Sequence, residues 1–402
     1  MRSGRFVKQL EGYRAFEPAK LPPTDPPLHL DTELVRLLSD ADRNLGKLDG
    51  VASILPNPEL FVAMYVRQEA VLSSQIEGTQ STLDDVLQFE LDAKGENRPK
   101  DVAEVVNYVK AMNHGLKRLP ALPVSKRLIR EIHEVLLTDV RGGKREPGQF
   151  RKSQNWIGPE GSTLQTATFV PPPVHVMNDA LDALERFLHD HTLPVLIHCG
   201  LVHAQFETIH PFLDGNGRVG RLLITFLLCE RQVLQRPLLY LSHYLKRNRA
   251  EYYDRLTAIR EKGDWEAWLS FFLRGVSEVS LEATETARRI LALRDEHRAI
   301  IKEHIGGANG YELLDHLYQN PITTVKLVAS WLDCTFTSAN KLVTKFERLG
   351  LLTETTGQSR SRRYRYSPYL DLFPAAAAAS VPAAPLAAAS TGVSKSRSRG
   401  TV

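Results

Sequence analysis

The sequence predicts a mainly α-helical protein with one short β segment and a small C-terminal domain in which strands follow helices. Between residues 32 and 304, apolar residues recur near helical spacing over most of the chain. A stretch rich in glycine and proline, 141–175, interrupts that pattern once. Beyond residue 310, short helical patterns give way to two strand-like segments.

The first part of the chain is predicted to be a loop followed by helices. Residues 1 to about 30 are assigned to loops, because five prolines fall between Pro18 and Pro27. Helical periodicity then predicts helices over 32–48, 59–76, 82–91 and 101–119. Ser125 precedes an amphipathic helix and is typical of an N-cap. The N-terminal helical region is therefore placed at residues 1–115.

The middle of the chain is predicted to contain one irregular segment between helices. Within 141–175, the run 166–170 has β-forming residues and is interpreted as a short exposed strand or hairpin. Helices are expected to resume over 176–190, 194–209, 217–232, 248–262 and 265–304. A core domain is therefore placed at residues 116–304.

The C-terminal part has the order of elements found in winged-helix domains. Glycines at 306, 307 and 310 predict a hinge, and short helices are expected over 312–319, 324–332 and 338–349. Two strands over 351–353 and 362–367 complete the pattern. A winged-helix domain is therefore placed at 308–370, followed by a disordered Ala/Ser/Pro-rich tail at 371–402.

Composition narrows the class of protein. The 402 residues are 43% hydrophobic and 24% charged, which is ordinary for a folded domain and excludes a wholly disordered chain. No apolar run is long enough to cross a membrane, and no secretory signal is visible. Cys199, Cys229 and Cys334 lie far apart and are expected to be reduced thiols, so a cytoplasmic location is predicted. The net charge of +4 is too small to indicate nucleic-acid binding by itself.

One segment, residues 210–221 (HPFLDGNGRVGR), concentrates chemically active residues. Gly215 and Gly217 allow backbone N–H groups to turn toward an anion just before a helix begins. Arg218 and Arg221, three residues apart, share one helix face and can hold a polyphosphate. Asp214 is the type of ligand that holds Mg²⁺ together with phosphates. His210 can accept a proton near neutral pH, as a general base must.

Three other interpretations of this segment compete with phosphate binding. The sequence GNGRVG matches the dinucleotide-binding fingerprint, but that fingerprint follows a β-strand and here the preceding residues are helical. His198, His203 and His210 could form a zinc site, although their spacing matches no common zinc motif and structural roles for the first two are favoured. A merely structural turn would rarely concentrate His, Asp, Asn and two Arg.

The segment 210–221 resembles the signature of the Fic family, HPFxDGNGRxGR, at every fixed position. The run Gly148-Gln149-Phe150-Arg151, the irregular segment ending at Pro173 and the N-terminal helices fit the same family, and a winged helix is a familiar companion. The resemblance implies a Fic-type helical bundle with a small β-hairpin flap. It also implies an enzyme that transfers AMP from ATP to a Tyr, Thr or Ser hydroxyl of a target protein.

The resemblance also implies residue roles. His210 would deprotonate the target hydroxyl, and Asp214 would hold Mg²⁺ between the α- and β-phosphates. Arg218 and Arg221 would grip the β- and γ-phosphates, while Phe212 anchors the loop in the core. The implied nucleotide-binding residues are Gly215, Asn216, Gly217, Arg218, Val219, Gly220 and Arg221, with Tyr252 near the adenine; the flap residues that would dock the target are Thr168, Phe169 and Val170.

An inhibitory motif is implied by Ser73, Glu77 and Gly78, which resemble the family pattern (S/T)xxxE(G/N). A Glu77 carboxylate paired with Arg221 would occupy the guanidinium that the γ-phosphate requires. Activity would then be low until Glu77 is removed. A second use of Glu77, orienting a water that removes AMP from modified proteins, stays open.

The C-terminal domain suggests a different class of function. Lys341, Lys345 and Arg348 lie near one face of the predicted recognition helix, and the wing contains Arg360, Arg362, Arg363 and Arg365. Such charge fits contact with DNA phosphates, and a protein-docking module is the alternative. The predicted partners are thus ATP, an unidentified target protein or the chain itself, and DNA. A homodimer is compatible with the sequence. A DNA-binding regulator with a vestigial enzyme domain is the competing hypothesis.

Overall fold

The computed structural model describes residues 2–53, 58–91, 100–140 and 145–373. The helices are α1 (Thr32–Ser53), α2 (Pro58–Ile76), α3 (Leu83–Leu91), α4 (Lys100–Arg118), α5 (Lys126–Leu136), α6 (Val174–Leu188), α7 (Val195–Ile209), α8 (Asn216–Glu230), α9 (Ser242–Arg247), α10 (Arg249–Lys262), α11 (Trp265–His304), α12 (Ala308–Gln319), α13 (Val325–Trp331), α14 (Phe336–Arg348) and α15 (Ser367–Leu370). The strands are β1 (Gly4–Lys8), β2 (Arg14–Pro18), β3 (Ile322–Thr323), β4 (Thr353–Glu354) and β5 (Tyr364–Arg365). The mainly α fold class is confirmed.

The core is built around α7 and α8, which pack against each other. Every residue of α7 from Leu196 to Ile209 is buried, since this helix is surrounded by others. The long helix α11 lies along α1, while α2, α4 and α5 cover α8. Among the described helices, none has both the length and the apolar composition that a membrane crossing requires.

The N-terminal residues form a β-hairpin, so the loop prediction for residues 1–30 was wrong. Strands β1 and β2 pair antiparallel, with Phe6 opposite Phe16. The turn contains Gly12 with φ of 89°, a conformation that favours glycine. The prolines that suggested a loop begin at Pro18, where β2 ends. The alternating apolar residues ahead of them are sufficient to form two short strands.

The amphipathic helix α5 begins as predicted. Ser125 Oγ accepts a hydrogen bond from the Leu128 N–H at 3.4 Å, which satisfies a free donor of the first turn. Leu128, Ile132 and Leu136 form its buried stripe. This stripe orients α5 so that His133 points into the core beneath residues 210–216.

The C-terminal part contains the expected order of three helices and two strands, with β3 added. The three strands form an antiparallel sheet in the order β3-β5-β4. This unit packs on α2: the Tyr318 ring lies 5.5 Å from Phe61, and the Phe373 ring lies 5.6 Å from Tyr65. Residues 371–373 are therefore folded, contrary to the prediction that disorder starts at residue 371. The rest of the predicted tail lies outside the described residues.

Candidate active site

Residues 210–216 form a sharp loop between α7 and α8. His210 ends α7 in the left-handed conformation, with φ 49° and ψ 61°, and Gly215 adopts φ 78° just before α8. A non-glycine residue in this conformation costs roughly 1–2 kcal/mol, so the surroundings must stabilise it. Because α8 begins immediately after this loop, its free backbone N–H groups face the same region as His210.

Hydrogen bonds from residues 151–155 to backbone carbonyls hold this loop. Arg151 Nε donates to the His210 carbonyl at 3.1 Å, and the Arg151 N–H donates to the Pro211 carbonyl at 2.9 Å. Asn155 Nδ2 donates to the Phe212 carbonyl at 2.9 Å. Sequence reasoning singled out the run containing Arg151 but missed Asn155, which has no local signal.

Asn216 closes the loop from inside. Its Oδ1 accepts the Phe212 N–H and its Nδ2 donates to the Phe212 carbonyl, both at 2.8 Å. Both polar atoms of the Asn216 side chain thus bond to Phe212, and the role of Asn216 in nucleotide binding stays a prediction. Its place at the start of α8 still leaves its backbone N–H as an anion donor.

His133 supports the loop from below, a role that the sequence did not reveal. Its ring stacks on Phe212 at 3.7 Å with an interplanar angle of 6°. Nδ1 accepts the Gly148 N–H, so Nε2 carries the proton and donates to the Asp214 carbonyl at 3.0 Å. Burial lowers the pKa of His133 to about 4, which keeps this tautomer neutral. Phe212 is fully buried, as predicted for an anchor.

His210 is buried and neutral. Burial lowers its pKa to about 3, and the Arg151 and Arg260 guanidinium groups act in the same direction. Its Nδ1 is buried with no hydrogen-bond partner among the described residues. A neutral imidazole can accept a proton from a hydroxyl that reaches it, and because Nδ1 is buried the accepting atom would be Nε2.

Arg221 is held by the end of α2. Its Nε donates to Ser73 Oγ at 2.7 Å, and its Nη2 lies 3.0 Å from the Ser73 carbonyl and 2.6 Å from Glu77 Oε1. Burial raises the pKa of Glu77, but the Arg221 guanidinium and its hydrogen bond outweigh this, and the pKa is lowered overall. Glu77 is therefore ionised at neutral pH and paired with Arg221.

The Glu77 carboxylate also lies against the start of α8. A Cβ added at Gly217 would overlap Glu77 Oε1 and crowd Arg221 Nη1. The carboxylate thus occupies the space next to the backbone that the sequence predicts to bind phosphate. Gly78, with φ of 105°, ends this segment in a conformation that favours glycine.

Arg218 has a different partner, Glu104 of α4, which sequence reasoning missed. Arg218 Nη1 donates to Glu104 Oε2 at 3.1 Å, and Arg218 Nη2 lies 3.6 Å from Asp214 Oδ1. The two guanidinium groups, which the sequence places on one helix face, are therefore both buried and both paired with carboxylates.

Asp214 fits a magnesium site that substrate phosphates complete. The Asp214 side chain contacts the Gly215 N–H at 2.6 Å and Arg218, and both contacts use Oδ1. Oδ2 can thus face a cation, and a single carboxylate with phosphate oxygens is a usual Mg²⁺ ligand set. No cluster of three or more His, Cys, Asp or Glu suited to a metal occurs in the described ranges.

Two of the predicted nucleotide-binding residues, Val219 and Gly220, pack within the core. Val219 is fully buried. A Cβ on Gly220 would overlap Glu207 Oε1, so glycine is needed where α8 meets α7. The Gly220 carbonyl lies 2.9 Å from His203 Nδ1. Their assignment to nucleotide binding stays a prediction.

Tyr252, predicted to lie near the adenine, is buried and bonded to a neighbouring histidine. It is 1% exposed, and its hydroxyl lies 2.8 Å from His203 Nε2. Its neighbour Tyr253 is 41% exposed. His198 and His203 both bond to neighbouring groups, His198 through the Phe187 carbonyl at 2.8 Å. These are the structural roles that the sequence favoured for the two histidines.

The predicted flap is only partly a free strand. Phe169 pairs with Ile157, and the Val170 carbonyl accepts the Phe16 N–H at 2.9 Å. Thr168 is exposed, but Phe169 and Val170 are buried, and Arg260 lies 3.9 Å above the Phe169 ring. The prediction of an exposed strand was wrong for these two residues, because the N-terminal hairpin packs against them.

Comparison with known proteins agrees with this geometry. Residues 35–117 match the Fic/DOC family N-terminal region, and residues 123–228 match the Fic/DOC family. A probable protein adenylyltransferase of Aquifex aeolicus is 29% identical over 210 residues, which is 50% of this chain and 57% of that protein. Protein adenylyltransferase Fic of Drosophila melanogaster is 30% identical over 173 residues, which is 41% of this chain and 32% of that protein.

A solved structure shows the same fold. A Fic family protein from Desulfovibrio desulfuricans G20 superposes with a TM-score of 0.54 at 18% identity, covering 84% of this chain and 97% of that chain. Such low identity supports the fold alone. The chain thus spans 57% and 32% of the lengths of the two adenylyltransferases that it matches.

Proposed function

Residues 35–117 and 123–228 belong to the Fic/DOC family, and on that premise we propose that the chain transfers AMP from ATP to a hydroxyl side chain of a protein. The observation that carries this proposal is the position of His210. A neutral histidine ends α7, directly before the start of α8, whose backbone N–H groups can bind an anion. The names of the two relatives, both adenylyltransferases, agree with it.

In the proposed step, His210 accepts the proton of a target hydroxyl. The hydroxyl oxygen forms a bond to the α-phosphorus of ATP, the bond to the bridging oxygen breaks, and pyrophosphate leaves. Proton removal by a positioned base typically contributes about 10² to 10⁴ in rate. Arg151 and Asn155 contribute by holding the His210 backbone in its left-handed conformation.

The triphosphate would be held by the start of α8. Backbone N–H groups after Gly215 supply donors, and Arg221 supplies a guanidinium to the distal phosphates. Asp214 would hold Mg²⁺, whose charge offsets that of the phosphates when the ion is bound. The Arg218 guanidinium contributes positive charge near the phosphates, and its hydrogen bond to Glu104 fixes its position.

Glu77 would keep the enzyme inhibited. Its carboxylate is bonded to Arg221 and overlaps the space next to Gly217. A distal phosphate would have to displace it, so ATP would bind without the alignment that transfer requires. The intact site favours a working transferase over a regulator with a vestigial enzyme domain. Tyr, Thr or Ser hydroxyls of a target protein, or of the chain itself, are the proposed acceptors.

Transfer of label from ATP tests this function. The unaltered chain, Glu77→Gly, and Glu77→Gly with His210→Ala are incubated with Mg²⁺ and ATP labelled at the α-phosphate, with and without a cell lysate. Glu77→Gly is expected to label protein at least tenfold faster, since about 1.4 kcal/mol corresponds to each factor of ten. The double variant is expected to lose at least a hundredfold of that rate, within the range for loss of a general base.

ATP labelled at the γ-phosphate is the control for phosphate transfer. Equal labelling from both nucleotides would contradict AMP transfer. Equal rates for the unaltered chain and Glu77→Gly would contradict the inhibitory role but not the reaction. Absence of α-label in every variant would refute the proposed function.

A further inference from the structure

The outer face of α14 carries three cations in a row. Lys341, Lys345 and Arg348 follow i, i+4, i+7 spacing and are all exposed. The opposite face, with Ala339, Val343 and Phe346, is buried. The helix is thus amphipathic, and the three cations form one basic stripe about 10 Å long on its polar side. Glu347, the acidic residue of α14, is half-buried at the side of this stripe.

These three cations have no carboxylate partners among the described residues. Other exposed arginines on helices do: Arg127 pairs with Glu131, Arg247 with Glu278. A stripe of cations that no acid neutralises favours a polyanion as its partner. This stripe has no role in the proposed reaction, because the candidate active site is built from α2, α7 and α8.

The segment from β4 to β5 adds two of its four arginines to this surface. Arg363 and Arg365 turn toward α3: Arg363 Nη1 lies 3.5 Å from Gln88 Oε1, and Arg365 Nε lies 3.5 Å from Asp84 Oδ1. Arg360 and Arg362 remain exposed on the loop. The wing arginines therefore divide into a pair that anchors the unit and a pair that faces solvent.

Neutral side chains on α14 favour a duplex over an acidic peptide. Thr337, Ser338 and Asn340 are exposed in its first turns and can donate to or accept from base edges. A single exposed α-helix fits the major groove of B-DNA, which is about 12 Å wide. Thr335 Oγ1 accepts the Ser338 N–H at 3.2 Å and fixes the start of the helix.

We infer that the exposed face of α14, with Arg360 and Arg362 of the adjoining loop, is a binding surface for double-stranded DNA. Phosphates contact Lys341, Lys345 and Arg348, and the first turns of α14 lie in the major groove. This activity is additional to AMP transfer and does not depend on it. The contacts of Arg365 and Phe373 attach the C-terminal unit to the helical core. A bound duplex therefore has a fixed position relative to the enzyme.

Fluorescence anisotropy with a labelled mixed-sequence duplex of about three helical turns tests the inference on the full chain. The triple variant carries Lys341→Gln, Lys345→Gln and Arg348→Gln. Its matched control, which removes three exposed cations elsewhere, carries Lys20→Gln, Lys47→Gln and Lys117→Gln. Both variants change the net charge equally. Affinity is measured between about 50 and about 200 mM salt.

The unaltered chain and the control are expected to bind with a steep salt dependence. The triple variant should bind at least tenfold more weakly, and its salt slope should be smaller by about 2 to 3, since each phosphate contact contributes about 0.9. Single variants, each lowering the slope by about one, guard against a folding defect in the triple variant.

Three results would overturn the inference. The first is no duplex binding by the unaltered chain at about 50 mM salt. The second is equal binding by the triple variant and the control. The third is polyglutamate binding that requires the three cations while the duplex does not bind, which would assign the surface to an acidic protein. The variant His210→Ala should bind the duplex like the unaltered chain, so failure here is separate from failure of the proposed reaction.

Discussion

Arg218 and Arg221 lie three residues apart on α8, and each is paired with a glutamate from another helix. Arg218 meets Glu104 inside α4, where the two side chains are 4% and 8% exposed. Arg221 meets Glu77 one residue beyond the end of α2, where the exposures are 2% and 34%. The arginines are buried alike, but their partners differ in how firmly the chain holds them and in their access to water.

This difference separates a structural charge pair from an exchangeable one. Removing Glu104 would take away the carboxylate at 3.1 Å from the buried Arg218 guanidinium and leave Asp214 at 3.6 Å. Glu77 can leave Arg221 by rearrangement of a helix end, and an ATP phosphate can replace it. We therefore expect the glutamate–arginine pair to serve stability at Arg218 and, under the proposed function, control at Arg221.

The largest expected effect is on stability. If it is absent, the two glutamate–arginine pairs do not differ as described. Glu104→Gln should lower the free energy of unfolding by about 3 kcal/mol, because breaking a buried pair leaves an uncompensated charge. Glu77→Gln should lower it by less, about 1 kcal/mol, because Arg221 keeps two hydrogen bonds to Ser73 and the Glu77 side chain is partly exposed. Urea unfolding followed by circular dichroism measures both. A rise in AMP transfer by Glu104→Gln like that of Glu77→Gly would show that the two pairs are equally exchangeable.

Ser73→Ala is expected to have a smaller effect, and it tests whether Ser73 helps to hold Arg221. A hydrogen bond to a charged group contributes about 1.5–3 kcal/mol, so its loss should loosen the end of α2 and raise the labelling rate about threefold to tenfold. Ser74→Ala is the matched control, because Ser74 Oγ is buried without a partner in the described part of the chain. Similar rates for both variants would exclude a role of Ser73 in the inhibited state.

The smallest expected effect concerns pH. The pKa of Glu77 is lowered by Arg221 despite burial, so the stabilisation from this pair is present above the unfolded-state pKa of about 4.3 and is lost as pH falls below it. Between about pH 6 and about pH 8, the ratio of labelling by Glu77→Gly to that by the unaltered chain should change less than twofold. A ratio that approaches one at the acidic end would show that protonation of Glu77 releases the enzyme.

Most helices could be predicted because their signals are local. Ser125 and the apolar stripe after it are enough to place α5, and the residue types of 210–221 are enough to predict a loop suited to phosphate. The hairpin was missed because two short strands are stabilised by pairing with each other and with Val170, which no local pattern reveals.

Residue roles within the site were harder to predict than its location. Asn216 and Gly220 belong to the family signature, yet their side-chain positions are used to close the loop and to pack α8 on Glu207. A motif shows that residues act together, but it does not show which of them face the ligand. Which residues face the ligand depends on the elements that pack against the other side of the helix.

The linear chain by itself determined a helical protein with a glycine-rich anion loop, a base ahead of it and a basic helix near the C-terminus. These follow from backbone preferences and from side chains a few positions apart, whose energies do not require distant neighbours. Only the tertiary structure decided that Glu104 holds Arg218 and that two wing arginines turn inward to α3. Pairing of buried charges depends on which surfaces pack together, because desolvation is offset only where an opposite charge is brought within hydrogen-bond distance.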